Sequence, residues 1–281
     1  MNPPISRRAV TGSVPAGATA PSTSGAASVT PADAPATAHP HPAGPTVVLV
    51  HGAFADGSSW SAVVEQLQRD GHRVLVPALP LRGLASDAAY IRGVLDGIEG
   101  PIVLVGHSYG GAVISHAAAG APRVEALVYI AAFVPDIGES ALGLTGKFPG
   151  STLGEATTAQ SYPLPGGGQG EELVIRKHVF RQQFAAGVPV TTAQVMAVGQ
   201  RPIAVAALQE EATAAAWRDV PSWYLVATED RNIPPAAERW MARRADAHTV
   251  TVRAPHAVAV SDPVPVTDLI LRAVHAVRSG H

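Results

Sequence analysis

The chain has 281 residues, 47% of them hydrophobic, enough for one large domain with a full core or for two small domains. Twenty Lys and Arg face 22 Asp and Glu with no basic patch or acidic tail, so nucleic acid and anionic membrane are poor partners. The absence of cysteine excludes disulfides, thiolate metal sites and cysteine nucleophiles, and no apolar run reaches the roughly 18 residues of a spanning helix.

Residues 1–45 differ from the rest. From Gly12 to Pro45 the chain is Ala, Pro, Ser, Thr and Gly, with almost no large apolar side chain to offset the entropy of ordering. This segment is expected to be a disordered leader. Ser6-Arg7-Arg8-Ala9-Val10 resembles a twin-arginine export signal, although Pro15 and Pro21 interrupt the apolar region that should follow. Localisation stays open on this reading, with the cytoplasm slightly favoured.

The body, 46–281, alternates strands and helices. Thr46–Val50 reads as a strand apolar on both faces, followed by a loop over His51–Ser59. Trp60–Arg69 has helical spacing and stops at Gly71. A short strand at Arg73–Val76 ends at Pro77, and Ser86-Asp87 is expected to cap a helix reaching Ile98. Next come a strand at Ile102–Val105, a helix at Ala112–Ala119 and a strand at Val124–Ile130. After an interruption the pattern resumes. Trp223–Ala227 is a strand, Pro234-Pro235 opens a helix to Arg244, Thr249–Val252 is a strand, and a helix over Pro265–Val277 closes the chain. Such alternation predicts an α/β fold with a mostly parallel, doubly wound sheet flanked by helices. The interruption, about 135–216, contains Gly166-Gly167-Gly168. It is expected to form a helical lid, with helices near Glu171–Phe184, Thr192–Gly199 and Ala204–Trp217.

The most specific motif is Gly106-His107-Ser108-Tyr109-Gly110, between an apolar strand and a helix. Strand, sharp turn and helix with serine at the apex is the context of a nucleophile elbow. The two glycines let strand and helix approach on either side of Ser108. A serine hydroxyl needs a base, and the base needs an orienting carboxylate. His256, in a loop after the Thr249–Val252 strand, is the histidine best placed to reach a serine at the strand ends. His107 sits beside Ser108 but must leave the turn in another direction, and His116 lies within the following helix. The acid is read as Asp230, in Thr228-Glu229-Asp230-Arg231-Asn232-Ile233-Pro234, with Glu229 and Asp136 as rivals. Oxyanion donors are expected from the main-chain N–H of Tyr109 and of Ala53, with Phe54 as the alternative to Ala53.

Together Val48-Leu49-Val50-His51-Gly52-Ala53, the elbow, Thr228–Pro234 and His256 resemble the α/β-hydrolase superfamily over Pro45–Ser279. The resemblance is strongest to the compact esterase branch of bacterial pyrethroid-hydrolase-like carboxylesterases, and more distant to plant methylesterases and hydroxynitrile lyases. It implies a cofactor-free, metal-free serine esterase acting on a small-molecule ester, with its triad on Ser108, Asp230 and His256. The lyases of this branch carry lysine where this chain has Ala257, which disfavours cyanohydrin cleavage. Other non-hydrolytic chemistry on the scaffold, of the perhydrolase or haloperoxidase type, and a ligand receptor with negligible turnover are the alternatives. Lid residues rich in Ala, Val, Leu and Phe point to a small or medium apolar substrate. Oligomeric state is open.

Overall fold

A computed structural model describes residues 44–280. The expected leader and its twin arginine therefore lie outside the described residues, save Gly44 and Pro45.

Six strands form a parallel sheet in the order β2-β1-β3-β4-β8-β9. They are β1 (Thr46–Val50), β2 (Val74–Leu75), β3 (Ile102–His107), β4 (Val124–Ile130), β8 (Ser222–Ala227) and β9 (His248–Val252). The central strands are apolar on both faces, so alternate residues feed two separate cores. Val48, Leu104, Leu127 and Val226 pack on one side with α2 (Leu84–Asp96), α3 (Tyr109–Ala117) and α9 (Pro235–Arg244). Val47, Leu49, Val103 and Val105 pack on the other with α1 (Ser61–Arg69) and α11 (Pro263–Ser279). This double burial explains why the central strands were readable from composition, and parallel pairing places the C-terminal ends of all six at one edge. In the described residues no helix is long and apolar enough to cross a membrane.

Two expectations need correction. The cap of α2 is not Ser86-Asp87: the helix begins at Leu84, with Gly83 at its N-cap. Its first N–H groups are satisfied from far along the chain, because the Glu210 carboxylate accepts from Leu84 (2.5 Å) and Ala85 (3.3 Å). Asp87 lies inside the first turn and is buried.

The segment between β4 and β8 is also not purely helical. Thr157–Pro163 (β5) and Gln169–Ile175 (β6) form an antiparallel hairpin, joined on its edge by Ile203–Ala204 (β7). Its turn uses Gly166, Gly167 and Gly168, all at positive φ (91°, 104° and 88°), a conformation other residues rarely adopt. The helix expected over Glu171–Phe184 is thus a strand followed by the shorter α6 (Lys177–Gln183). That expected over Ala204–Trp217 shrinks to α8 (Val205–Gln209) and a single 3₁₀ turn at Ala216–Arg218. Only α7 (Val190–Gly199) matches its expectation closely.

Candidate active site

β3 ends at His107 and α3 begins at Tyr109, so Ser108 alone makes the turn. Its φ of 55° and ψ of −124° are strained for a residue with a Cβ, at a cost of about 1–3 kcal/mol. Main-chain bonds hold it there. Ser108 N–H donates to the Ile130 carbonyl (3.3 Å), and the Ser108 carbonyl accepts from Gly111 (3.0 Å) and Phe133 (3.1 Å). The flanking glycines are sterically required: a Cβ on Gly106 would lie 2.6 Å from the Gly110 carbonyl oxygen, and one on Gly110 would lie 2.6 Å from that of Val50.

Asp230 and His256 follow β8 and β9, at the same edge of the sheet as Ser108. Both are buried, and His256 Nδ1 lies 2.5 Å from Asp230 Oδ2. A carboxylate only accepts, so Nδ1 carries the hydrogen of this bond, and Nε2 is the ring nitrogen left free of Asp230. The other carboxylate oxygen, Oδ1, accepts from the N–H groups of Asn232 (2.6 Å) and Ile233 (3.0 Å), which fixes the acid before α9 starts. No hydrogen bond of standard geometry joins Ser108 Oγ to the imidazole. In unliganded sites of this type that contact is commonly long and tightens with substrate.

The rival acids are engaged elsewhere. Glu229 pairs with Arg253 on the surface (2.7 Å) and Asp136 with Arg218 (2.5 Å).

The loop after β1 is pinned by His51. This buried ring has Nδ1 2.9 Å from the Gly52 carbonyl, while its Nε2 accepts from Leu79 N–H (3.0 Å). The second bond fixes the tautomer, so Nδ1–H is the donor to Gly52. Desolvation pushes the His51 pKa below its ordinary value. The loop comes close enough that a Cβ on Gly52 would lie 3.2 Å from Ser108 Oγ. Phe54 N–H is spent on the Arg201 carbonyl (3.0 Å). Among the described residues, neither Ala53 nor Tyr109 N–H donates to a main-chain carbonyl.

Two buried groups brace this arrangement, and neither was assigned the role from sequence. His107 Nε2 lies 3.0 Å from the His256 carbonyl oxygen, its ring 4.7 Å from the His256 ring between centroids. Burial drives the His107 pKa well down, so the ring is neutral and Nε2–H donates. Asp87, read from sequence as a helix cap, instead accepts from the Tyr109 hydroxyl (3.0 Å) and ties Tyr109 to α2. No local signal distinguishes these two. Their partners are brought in by tertiary packing, 149 residues away for His107 and 22 for Asp87.

Above Ser108 lies a cavity of about 410 Å³. Ala53, Phe54 and Tyr109 form its floor with Ser108, while Leu142, Phe148, Leu173 and Leu208 contribute apolar walls. No charged side chain lines it. Among the described residues, no group of three or more His, Asp or Glu is arranged to hold a metal ion.

Residues 47–269 match the alpha/beta hydrolase family. The chain belongs to this family. Among relatives of this alpha/beta hydrolase is a carbendazim-hydrolysing esterase from Nocardioides sp. (strain SG-4G), 40% identical over 113 residues, which are 36% of this chain and 47% of that protein. The pyrethroid hydrolase of Sphingobium wenxiniae is 38% identical over 98 residues, 31% of this chain and 35% of its own. The matched parts thus span less than half of either relative. Polyneuridine aldehyde esterase, at 20% identity, superposes with a TM-score of 0.71 over 82% of this chain and 98% of its own, which shows a common fold.

Proposed function

We propose that the protein cleaves carboxylic esters of small or medium, uncharged, apolar substrates through an acyl-enzyme on Ser108. Ser108 Oγ attacks the ester carbonyl as His256 Nε2 takes its proton. The same imidazolium then gives that proton to the leaving alkoxide. Water, deprotonated by His256, releases the acid and restores Ser108. Asp230 orients the ring and stabilises its charged form. The N–H groups of Ala53 and Tyr109 receive the oxyanion, each worth roughly 3 kcal/mol of transition-state stabilisation.

The observation that carries this reading is the buried 2.5 Å contact between His256 Nδ1 and Asp230. It leaves Nε2 as the basic nitrogen at the sheet edge where Ser108 is held in its strained turn. The uncharged lining of the adjacent cavity supports a neutral substrate, since burying an unpaired charge there is costly. In a stopped-flow assay with a short-chain p-nitrophenyl ester, wild type should turn over with acyl-enzyme chemistry, and Ser108→Ala should lose about 10⁴-fold or more of kcat. Equal turnover by both proteins would overturn the assignment.

A further inference from the structure

Glu238 is the most unusual buried group near the site. It lies on α9 with no solvent exposure, yet none of the chemistry proposed above uses it. One carboxyl oxygen, Oε2, accepts from Ala227 N–H (2.9 Å) at the end of β8. Ala227 is also where the acid loop departs, its carbonyl accepting from Asp230 N–H (3.3 Å). The other oxygen, Oε1, is fully buried and finds no N–H or O–H donor. What the carboxyl does have within hydrogen-bonding reach is a second acceptor, the carboxyl of Asp230. Two carboxylates cannot bond one another unless one of them holds a proton.

Asp230 is not the one to hold it. Asp230 already accepts three hydrogen bonds, from two main-chain N–H groups and from His256. Glu238 accepts a single N–H. Burial, and next the charge of Asp230, push the Glu238 carboxyl well above the usual carboxylate range. The other groups facing it do not reverse this. Tyr224, on β8, is buried with its own pKa well raised, and Arg239, next along α9, is exposed to solvent.

We propose that Glu238 is a positioning residue that donates its carboxyl hydrogen to Asp230 and thereby sets the basicity of the Asp230–His256 pair. A carboxylate has about four lone-pair sites, and the three bonds already made to Asp230 leave room for this fourth. The bond draws charge from Asp230, weakens its pull on the imidazolium and lowers the pH at which His256 becomes a free base. This inference rests on Ser108 and His256 acting as proposed.

The test is the pH dependence of Ser108 inactivation by a fluorophosphonate in wild type, Glu238→Gln and Glu238→Leu, with folding checked by circular dichroism. The carboxamide of Glu238→Gln is neutral and still donates, so its acid limb should coincide with that of wild type. Glu238→Leu removes the donor, leaves Asp230 more basic and should move the limb upward by about half a pH unit or more. A downward shift in Glu238→Gln would mean that an ionised carboxylate had been removed, and it overturns the proposal even where Glu238→Leu does not fold. Coincidence of all three limbs overturns it as well. Infrared difference spectra at neutral pH should show a protonated-carboxyl stretch in wild type that Glu238→Gln lacks. Failure of wild type to label at Ser108 at all would instead contradict the esterase reading.

Discussion

The sheet with its elbow and the segment laid between β4 and β8 share an apolar core but differ in what polar side chains add to it. Around the elbow, every side chain of β1, β3 and β8 is buried, and the contacts are apolar or main-chain apart from a few buried polar bonds such as that of Tyr109 to Asp87. The inserted segment shares that apolar core, through Phe180, Phe184, Ile203 and Trp217, and adds ties made by polar side chains. Arg82 pairs with Glu172 of β6 (2.5 Å), Arg244 of α9 pairs with Glu139 (2.8 Å), and Glu210, just past α8, closes the N-terminus of α2. Close packing tolerates no added atoms, whereas polar ties at a surface contribute modestly and one at a time. The elbow is therefore the place least tolerant of an added atom, while the polar ties of the insertion can be removed singly at modest cost.

That contrast can be broken most directly at Gly106. Its Cβ would meet the backbone of Gly110 at 2.6 Å, with no flexible side chain to give way. Gly106→Ala should cost about 3 kcal/mol or more and lose most activity, read as a fall in melting temperature together with kcat/KM. A stable, active Gly106→Ala protein would show that the elbow is looser than its packing implies.

A smaller effect sharpens the electrostatic side of the same core. His107 is held neutral by burial in the folded state, while in the unfolded chain it takes a proton below about pH 6.5. Its folded pKa is depressed, so its contribution is present above that pH and is lost as the pH falls further. His107→Gln keeps an N–H donor for the His256 carbonyl and removes the titration. Between about pH 7.5 and pH 5.5, wild type should lose more melting temperature than His107→Gln. Parallel curves would argue against a buried neutral ring.

The smallest effect is expected at the tie between the two regions. Glu210→Ala removes the acceptor for Leu84 and Ala85 and should cost about 1 kcal/mol, a shift of about 2–4 °C in melting temperature. Ser108 labelling should persist. Collapse of the fold would show that the insertion is as integral as the sheet.

The same contrast decides what the sequence could tell. Runs such as Thr46–Val50 and Ile102–His107 are apolar on both faces, and only a buried strand in a parallel sheet needs that pattern. The sharp turn at Ser108 was legible because its glycines answer local sterics, and the position of His256 at the same sheet edge because it follows a strand. The hairpin was not legible. Nearly every residue of β5 is at least partly exposed, so no alternation marks it, and Glu171-Glu172-Leu173 suits a helix until the Gly166–Gly168 turn pairs it with β5. The cap of α2 was hidden because its acceptor comes from 126 residues away. Glu238 was hidden because a glutamate on an amphipathic helix ordinarily faces water.

The central claim is that Ser108 is a nucleophile activated by His256. Intact-protein and peptide mass spectrometry after brief exposure to a fluorophosphonate tests it most directly. One adduct, on Ser108, should form in wild type, be absent in Ser108→Ala and form at least about a hundredfold more slowly in His256→Ala. An adduct on another residue, or one on Ser108 that forms at the same rate without His256, would contradict the account.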